Sequence, residues 1–296
     1  MSRFTWFVTA ALMGTSVAFG HPAIAAKSAA KLTSIAQTPN VKIQLDRRWG
    51  NALTLQDEPT DAEAYYTRGN LKARKLNDIP GALADYNRAI TLNPKLAKAY
   101  IDRGILKGYK LNDIQGALAD YNRAITLNPQ LTQAYSNRGN LKSEKINDIP
   151  GALADYNRAI ILSPEFADAY YNRGLLKDEK INDIQGALAD YNRAITLNPQ
   201  LTQAYSNRGL LKDEKLNDTQ GALSDYNRAI TLNPEFAELY LNRGLLKARK
   251  LSDKAGAIQD FRQAAKLFRA QGQTQYLQKA LDNLRKLDAT EQASNS

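Results

Sequence analysis

The 296-residue chain has no cysteine, one histidine, two methionines and two tryptophans. His21, Met1, Met13 and Trp6 all lie within the first 26 residues, so everything after them is free of His, Cys and Met. That part of the chain can form no disulfide, no thiolate nucleophile, no Ser-His or Cys-His pair, and no imidazole or thiolate metal site. Long apolar runs are equally scarce. The one at Phe4–Phe19 is interrupted by Gly14, Thr15 and Ser16 and is short for a membrane span. With Arg3 before it and Ala23 and Ala25 after it, residues 1–26 have the layout of a secretory signal peptide, cleaved after Ala25 or Ala26. An exported chain without disulfides must be held together by packing. No membrane span is expected after cleavage.

What the chain does contain is repetition. The fourteen letters GALADYNRAITLNP begin at Gly81, Gly116 and Gly186, with close variants at Gly151 and Gly221. Closing prolines stand at Pro94, Pro129, Pro164, Pro199 and Pro234, a fixed period of 35 residues. Such a period marks an array in which each supersecondary unit stacks on its neighbours. Within one copy, Ala82, Leu83, Tyr86, Ala89 and Ile90 fall on one face of a helix. Asp78 is placed as its N-cap, and Pro94 turns Asn93 away from helical geometry at its end. The other half of the unit, from Asp61 to Asp78, reads as a second helix, with Asn77 placed for the left-handed conformation that ends it.

The aromatic, Gly, Ala, aromatic and Pro of repeat one are Tyr65, Gly69, Ala82, Tyr86 and Pro94, and they recur as Tyr100, Gly104, Ala117, Tyr121 and Pro129 in repeat two. On these residues the chain resembles the tetratricopeptide repeat (TPR) family. The resemblance covers six repeats: 62–96, 97–131, 132–166, 167–201, 202–236 and 237–271. It implies an all-α, right-handed solenoid of stacked antiparallel helix pairs. Two departures stand out. The period is one residue longer than the family's 34, and Lys72, Lys107, Lys142, Lys177, Lys212 and Lys247 occupy a position that is usually large and apolar in the family. Either the first helix carries a bulge, or the lysine stems lie along the core edge with their ammonium groups in water.

Residues 27–61 read as a linker containing Trp49, residues 272–288 as an amphipathic capping helix, and residues 289–296 as a disordered tail. The net charge is +10, but it sits at the two ends of the array, above all in repeat six, and not in a continuous stripe. Eleven of the fifteen tyrosines hold repeat packing positions, leaving Tyr66, Tyr109, Tyr171 and Tyr276. A nucleic-acid groove needs a continuous basic track with free aromatics, so none is expected.

Arg68 and its equivalents Arg103, Arg138, Arg173, Arg208 and Arg243 allow two readings: a ladder that grips an acidic partner, or structural pairs with Asp85, Asp120, Asp155, Asp190, Asp225 and Asp260. The second is favoured, because what every repeat shares serves stacking. One carboxylate per repeat builds no oxygen cage, so no metal and no cofactor are expected. The positions that vary carry more information. The resemblance places the first helix of each repeat on the concave face, where Tyr66, Asn70, Lys98, Ile101, Asp102, Asn137, Asn140, Tyr171, Asn172, Asn207 and Asn242 form a candidate groove for a protein or peptide segment. The carboxylate clamp of one TPR subgroup is incomplete here. Asn140 and Asn172 match it, but Ser136, Gln203 and Asn207 replace its cations.

Residues 112–139 and 182–209 are identical, as if a two-repeat block had been copied whole. A unique catalytic convergence does not survive such copying, whereas a binding array does. The expected role is a non-catalytic scaffold at the cell envelope, in the periplasm or secreted. The wording of the repeats resembles TPR proteins of photosynthetic bacteria, which brings in the thylakoid lumen as a compartment. Two alternatives remain: a spacer or self-associating array, and an enzyme using only carboxylates such as Asp102 and Asp168.

Overall fold

The computed structural model describes residues 59–294. The segment read as a signal peptide, most of the segment read as a linker with Trp49, and the last two residues lie outside the described residues. Thirteen helices and no strand occur among them. The chain divides between Pro164 and Glu165 into two compact units, whose described parts are 59–164 and 165–294.

The first unit holds three helix pairs: α1 (Ala62–Leu71) and α2 (Ile79–Leu92), α3 (Ala97–Ile105) and α4 (Ile114–Leu127), α5 (Thr132–Leu141) and α6 (Ile149–Leu162). The second holds α7 (Ala167–Leu176) and α8 (Ile184–Leu197), α9 (Thr202–Glu214) and α10 (Thr219–Leu232), α11 (Ala237–Lys250) and α12 (Lys254–Ala270), then α13 (Thr274–Ser294). In each unit every helix packs on the next. First helices of neighbouring repeats also touch, α3 with α5 and α9 with α11. This is the all-α repeat solenoid class.

The punctuation repeats as faithfully as the text. Asp78 Oδ1 accepts from the Gly81 N–H at 2.9 Å, and Asp113, Asp148, Asp183, Asp218 and Asp253 cap α4, α6, α8, α10 and α12 in the same way. A Cβ on Gly81 would stand 2.0 Å from Asp78 Oδ2, so a larger residue there would have to displace the capping carboxylate. Asn77, Asn112, Asn147, Asn182, Asn217 and Ser252 all have positive φ, between 52° and 61°, and end the preceding helices. Between the paired helices the aromatic ring lies against the helix backbone. A Cβ on Gly69 would be 2.7 Å from Tyr86 Cε1.

The extra residue of the period has a definite place. In repeats one to four the first helix ends in a π-helical turn, Lys72–Leu76, Leu106–Lys110, Lys142–Ile146 and Lys177–Ile181. Repeats five and six keep α geometry to Glu214 and Lys250. In all six the Asp N-cap of the second helix donates its N–H to the carbonyl of the lysine six residues back, at 2.7–3.1 Å. In repeats one, three and four the π turn begins at the lysine, one α turn after the arginine four residues earlier.

The lysines themselves correct the sequence reading. Their ammonium groups are not in water: Lys72 Nζ lies 2.9 Å from Asp85 Oδ2, and the same pairing recurs in every repeat. The carboxyl end departs too. α13 starts at Thr274, after Gly272 at φ 70°, and runs to Ser294, through the segment read as a disordered tail from residue 289. Ala289, Glu291, Gln292 and Ala293 favour helix, and no Gly or Pro interrupts them. The apolar side of α13, with Ala280, Leu281 and Leu284, packs on Phe261, Ala265 and Phe268 of α12.

Candidate protein-interaction face

Behind the face stands a buried ion triad in each repeat. Arg68 Nε and Nη2 grip Asp85 at 3.0 and 2.7 Å, while Lys72 takes the same carboxylate. Arg103, Arg138, Arg173, Arg208 and Arg243 grip Asp120, Asp155, Asp190, Asp225 and Asp260 identically. Burial alone pushes the Asp85 carboxyl up, and the hydrogen bonds from Arg68 and Lys72 outweigh it, holding the group below the ordinary carboxylate range. These charges are spent inside the repeat, so the arginine series is structural and not a free ladder.

The candidate groove residues sort into small clusters. In the first unit the Tyr66 hydroxyl donates to Asp102 Oδ2 at 2.7 Å. Lys98 Nζ sits 4.6 Å above the Tyr66 ring and 2.5 Å from Glu63 Oε2, at an exposed rim. Burial raises the Asp102 carboxyl, and the Tyr66 hydrogen bond with the nearby Arg74 and Lys98 charges only partly opposes this. Asn70 and Asn140 turn instead towards the second helix, accepting from Tyr86 at 2.7 Å and Tyr156 at 2.8 Å. Ile101 packs in the core with Tyr100 and Tyr121. Asn137 is buried and accepts from Gln133 Nε2 at 2.9 Å.

In the second unit Asn207 Nδ2 donates to the Tyr171 hydroxyl at 3.1 Å, the counterpart of the Tyr66–Asp102 link. Both residues are buried, as is Asn172. Asn242 is half-buried and lines a cavity of about 310 Å³ with Leu210, Tyr226 and Leu245. Of the candidate residues, Tyr66, Lys98 and Asp102 in the first unit and Tyr171 and Asn207 in the second tie neighbouring first helices together, whereas Asn70, Asn137 and Asn140 are bonded within their own repeats.

Two features escaped the sequence reading. Lys215 Nζ pairs with Asp178 Oδ1 at 2.5 Å and Lys250 with Asp213 at 2.8 Å, each joining consecutive repeats across 37 residues. The legible signal was an Asp followed by a Lys at that spacing. The other is a rule at the ninth position of the repeat. Where it is Asn70 or Asn140, the tyrosine opposite is bonded. Where it is Ile105, Leu175 or Leu210, the buried hydroxyls of Tyr121, Tyr191 and Tyr226 have no hydrogen-bond partner.

Comparison with known proteins agrees with this architecture. Family models described as TPR repeat match residues 109–145, 145–177 and 215–250, and one described as tetratricopeptide repeat matches 62–96 and 167–201. No curated protein sequence matches significantly. Among solved structures, YrrB, described as a TPR protein with an unusual peptide-binding site, is 25% identical over 67% of this chain and 97% of its own, with a TM-score of 0.48. The type IV pilus biogenesis factor PilW is 19% identical over 74% and 98%, with a TM-score of 0.63. A tetratricopeptide repeat protein from Parabacteroides merdae is 22% identical over 77% and 92%, with a TM-score of 0.54. With helix pairs in register throughout and family matches across more than half of its length, the chain belongs to the tetratricopeptide repeat family.

Proposed function

We propose that the chain is a non-catalytic scaffold that holds a segment of a partner protein on the first-helix face of its repeats. The observation that carries this reading is the division of labour among charges. The invariant Arg and Lys are both engaged by the invariant Asp behind the face, whereas residues at positions that differ between repeats, Glu63 and Lys98 among them, reach the surface. Extended segments are held by such polar, sequence-varied faces through backbone and side-chain hydrogen bonds. The apolar run at Phe4–Phe19 supports export, and amino-terminal sequencing of the protein from cells tests it. An intact Met1 would oppose cleavage.

Capture from an envelope extract with residues 27–296 tests the scaffold. Its control carries Glu63→Ala, Lys98→Ala and Asn242→Ala, which leave the buried clusters alone. A protein held by the first bait and lost by the second supports the reading. Equal capture by both opposes it.

A second reading rests on repeat six. Arg262, Lys266 and Arg269 are exposed on α12 and make no ion pair among the described residues. Such a patch suits an acidic envelope surface or another copy of the chain. A mass in solution that rises with concentration would favour self-association.

A further inference from the structure

Within each unit the first helix of a repeat rests on the second helix of the repeat before it. The residues that make this contact are buried. Ala99 of α3 lies with Ala89 of α2, and Leu106 with Ala82 and Tyr86. Leu141 of α5 lies with Ala117 and Tyr121 of α4, and Leu239 and Leu246 of α11 with Ala222 and Tyr226 of α10. Helix α1 has no helix before it among the described residues, and the same stripe is open there. Ala64 and Leu71, the equivalents of Ala99 and Leu106, are only half-buried, and Thr67 between them is exposed. The three share one side of the helix.

The chain leading into α1 keeps the register of the array. Pro59 stands 35 residues before Pro94, and it is buried. One period upstream of α2 lie residues 44–57, outside the described residues. Their sequence has the pattern of an amphipathic helix: Leu45, Trp49, Ala52 and Leu53 fall at i, i+4, i+7 and i+8, and Asp46, Arg47, Asn51 and Thr54 take the other side. So short a helix is marginal alone in water and gains its stability from packing. A repeat at the end of a stack, in turn, needs a cover for its apolar side.

We infer that residues 44–57 dock as a helix on the open side of α1, as a second helix that has no first helix of its own. The link 58–61 matches in length the link 93–96 between α2 and α3, so the docked helix runs antiparallel to α1. The register of Ala82 and Tyr86 on Leu106 puts residues 47–51 level with Leu71, with Trp49 at their centre. Arg47 and Asn51 replace that alanine and tyrosine, so the helix turns to lay Leu45, Trp49 and Ala52 on α1. A second copy of the chain is the rival occupant. Its carboxyl end offers no match, because Gln278, Lys279, Arg285 and Lys286 of α13 are exposed there. The inference goes beyond the scaffold reading and stands without it.

Trp49 is the sole tryptophan of residues 27–296, so the fluorescence of that chain reports on this site alone. Its emission is expected to be blue-shifted and shielded from acrylamide, at every protein concentration. Leu71→Glu should return both properties to their values in urea while circular dichroism keeps its helical signal. Thr67→Glu, at an exposed position, should do the same and carries the test if Leu71→Glu unfolds. Leu111→Glu, at an exposed leucine after α3, should leave Trp49 unmoved. A tryptophan as open to quencher in buffer as in urea would overturn the proposal, as would a signal that the α1 substitutions leave unchanged or that Leu111→Glu moves equally. A mass that rises with concentration and falls back in Leu71→Glu would assign the stripe to a second copy instead.

Discussion

Arg103 holds two repeats at once: Nη1 donates to Asn87 of the preceding repeat at 2.8 Å, while Nε and Nη2 clasp Asp120 of its own. Arg138, Arg208 and Arg243 do the same with Asn122, Asn192 and Asn227. Removing one partner strands a buried charge. Asp120→Ala is expected to destabilise the first unit by about 3–5 kcal/mol, whereas replacing Arg103, Lys107 and Asp120 together with apolar residues should cost much less. Urea unfolding of the two variants checks this, and equal losses would contradict it.

Tyrosine hydroxyls should separate by the residue opposite them. Tyr156→Phe breaks the bond to Asn140 and is expected to cost about 1 kcal/mol, with Tyr191→Phe neutral or stabilising. Paired thermal melts decide it. A loss at Tyr191 as large as at Tyr156 would show that its hydroxyl has a partner after all.

The left-handed asparagines make a backbone prediction. Asn147 sits at φ 60°, so Asn147→Ala should destabilise by about 1–2 kcal/mol, and Asn147→Gly should not. If alanine proves as stable as glycine, the turn has another conformation open to it.

Two carboxylates should respond to pH with opposite signs. Asp85 is held below its ordinary range, so its contribution is present above the unfolded value of about 4 and is lost as pH falls through the folded one. Asp102 is held above it, so its contribution is present at low pH and is lost as pH rises through its folded value. Relative to wild type, Asp85→Asn should weaken the chain more at pH 6 than at pH 3, and Asp102→Asn more at pH 3 than at pH 6. Unfolding midpoints with the same pH slope for both variants would falsify this assignment.

The sequence carried the frame because periodicity, caps and glycine contacts are local. Asp78, Asn77, Gly69 and Pro94 each act within a few residues, and each stands where its chemistry required. The fate of Lys72 was harder to read, since a lysine stem on a helix looks alike whether it ends in water or on a carboxylate from the next helix. The extra residue was legible as a count but not as a π turn. Repeats five and six carry the same period without one. The face was the least legible part. Tyr171 and Asn207 read singly as available groups, and only three-dimensional proximity shows them bonded to each other.

The seams made by Arg103–Asn87 and its equivalents are chemically interchangeable, and that bears on how the chain finds its register. A repeat that docks one place too far along leaves a whole helix pair looped out, yet the entropy of closing a loop grows only with the logarithm of its length. Connectivity is a weak address, and misassembled stacks are a characteristic trap of repeat chains. The links Lys215–Asp178 and Lys250–Asp213 differ from this common seam, since repeats one to three have Ala73, Gly108 and Ser143 where the aspartates stand. They set the joins among the last three repeats apart from the seam that the rest of the array shares.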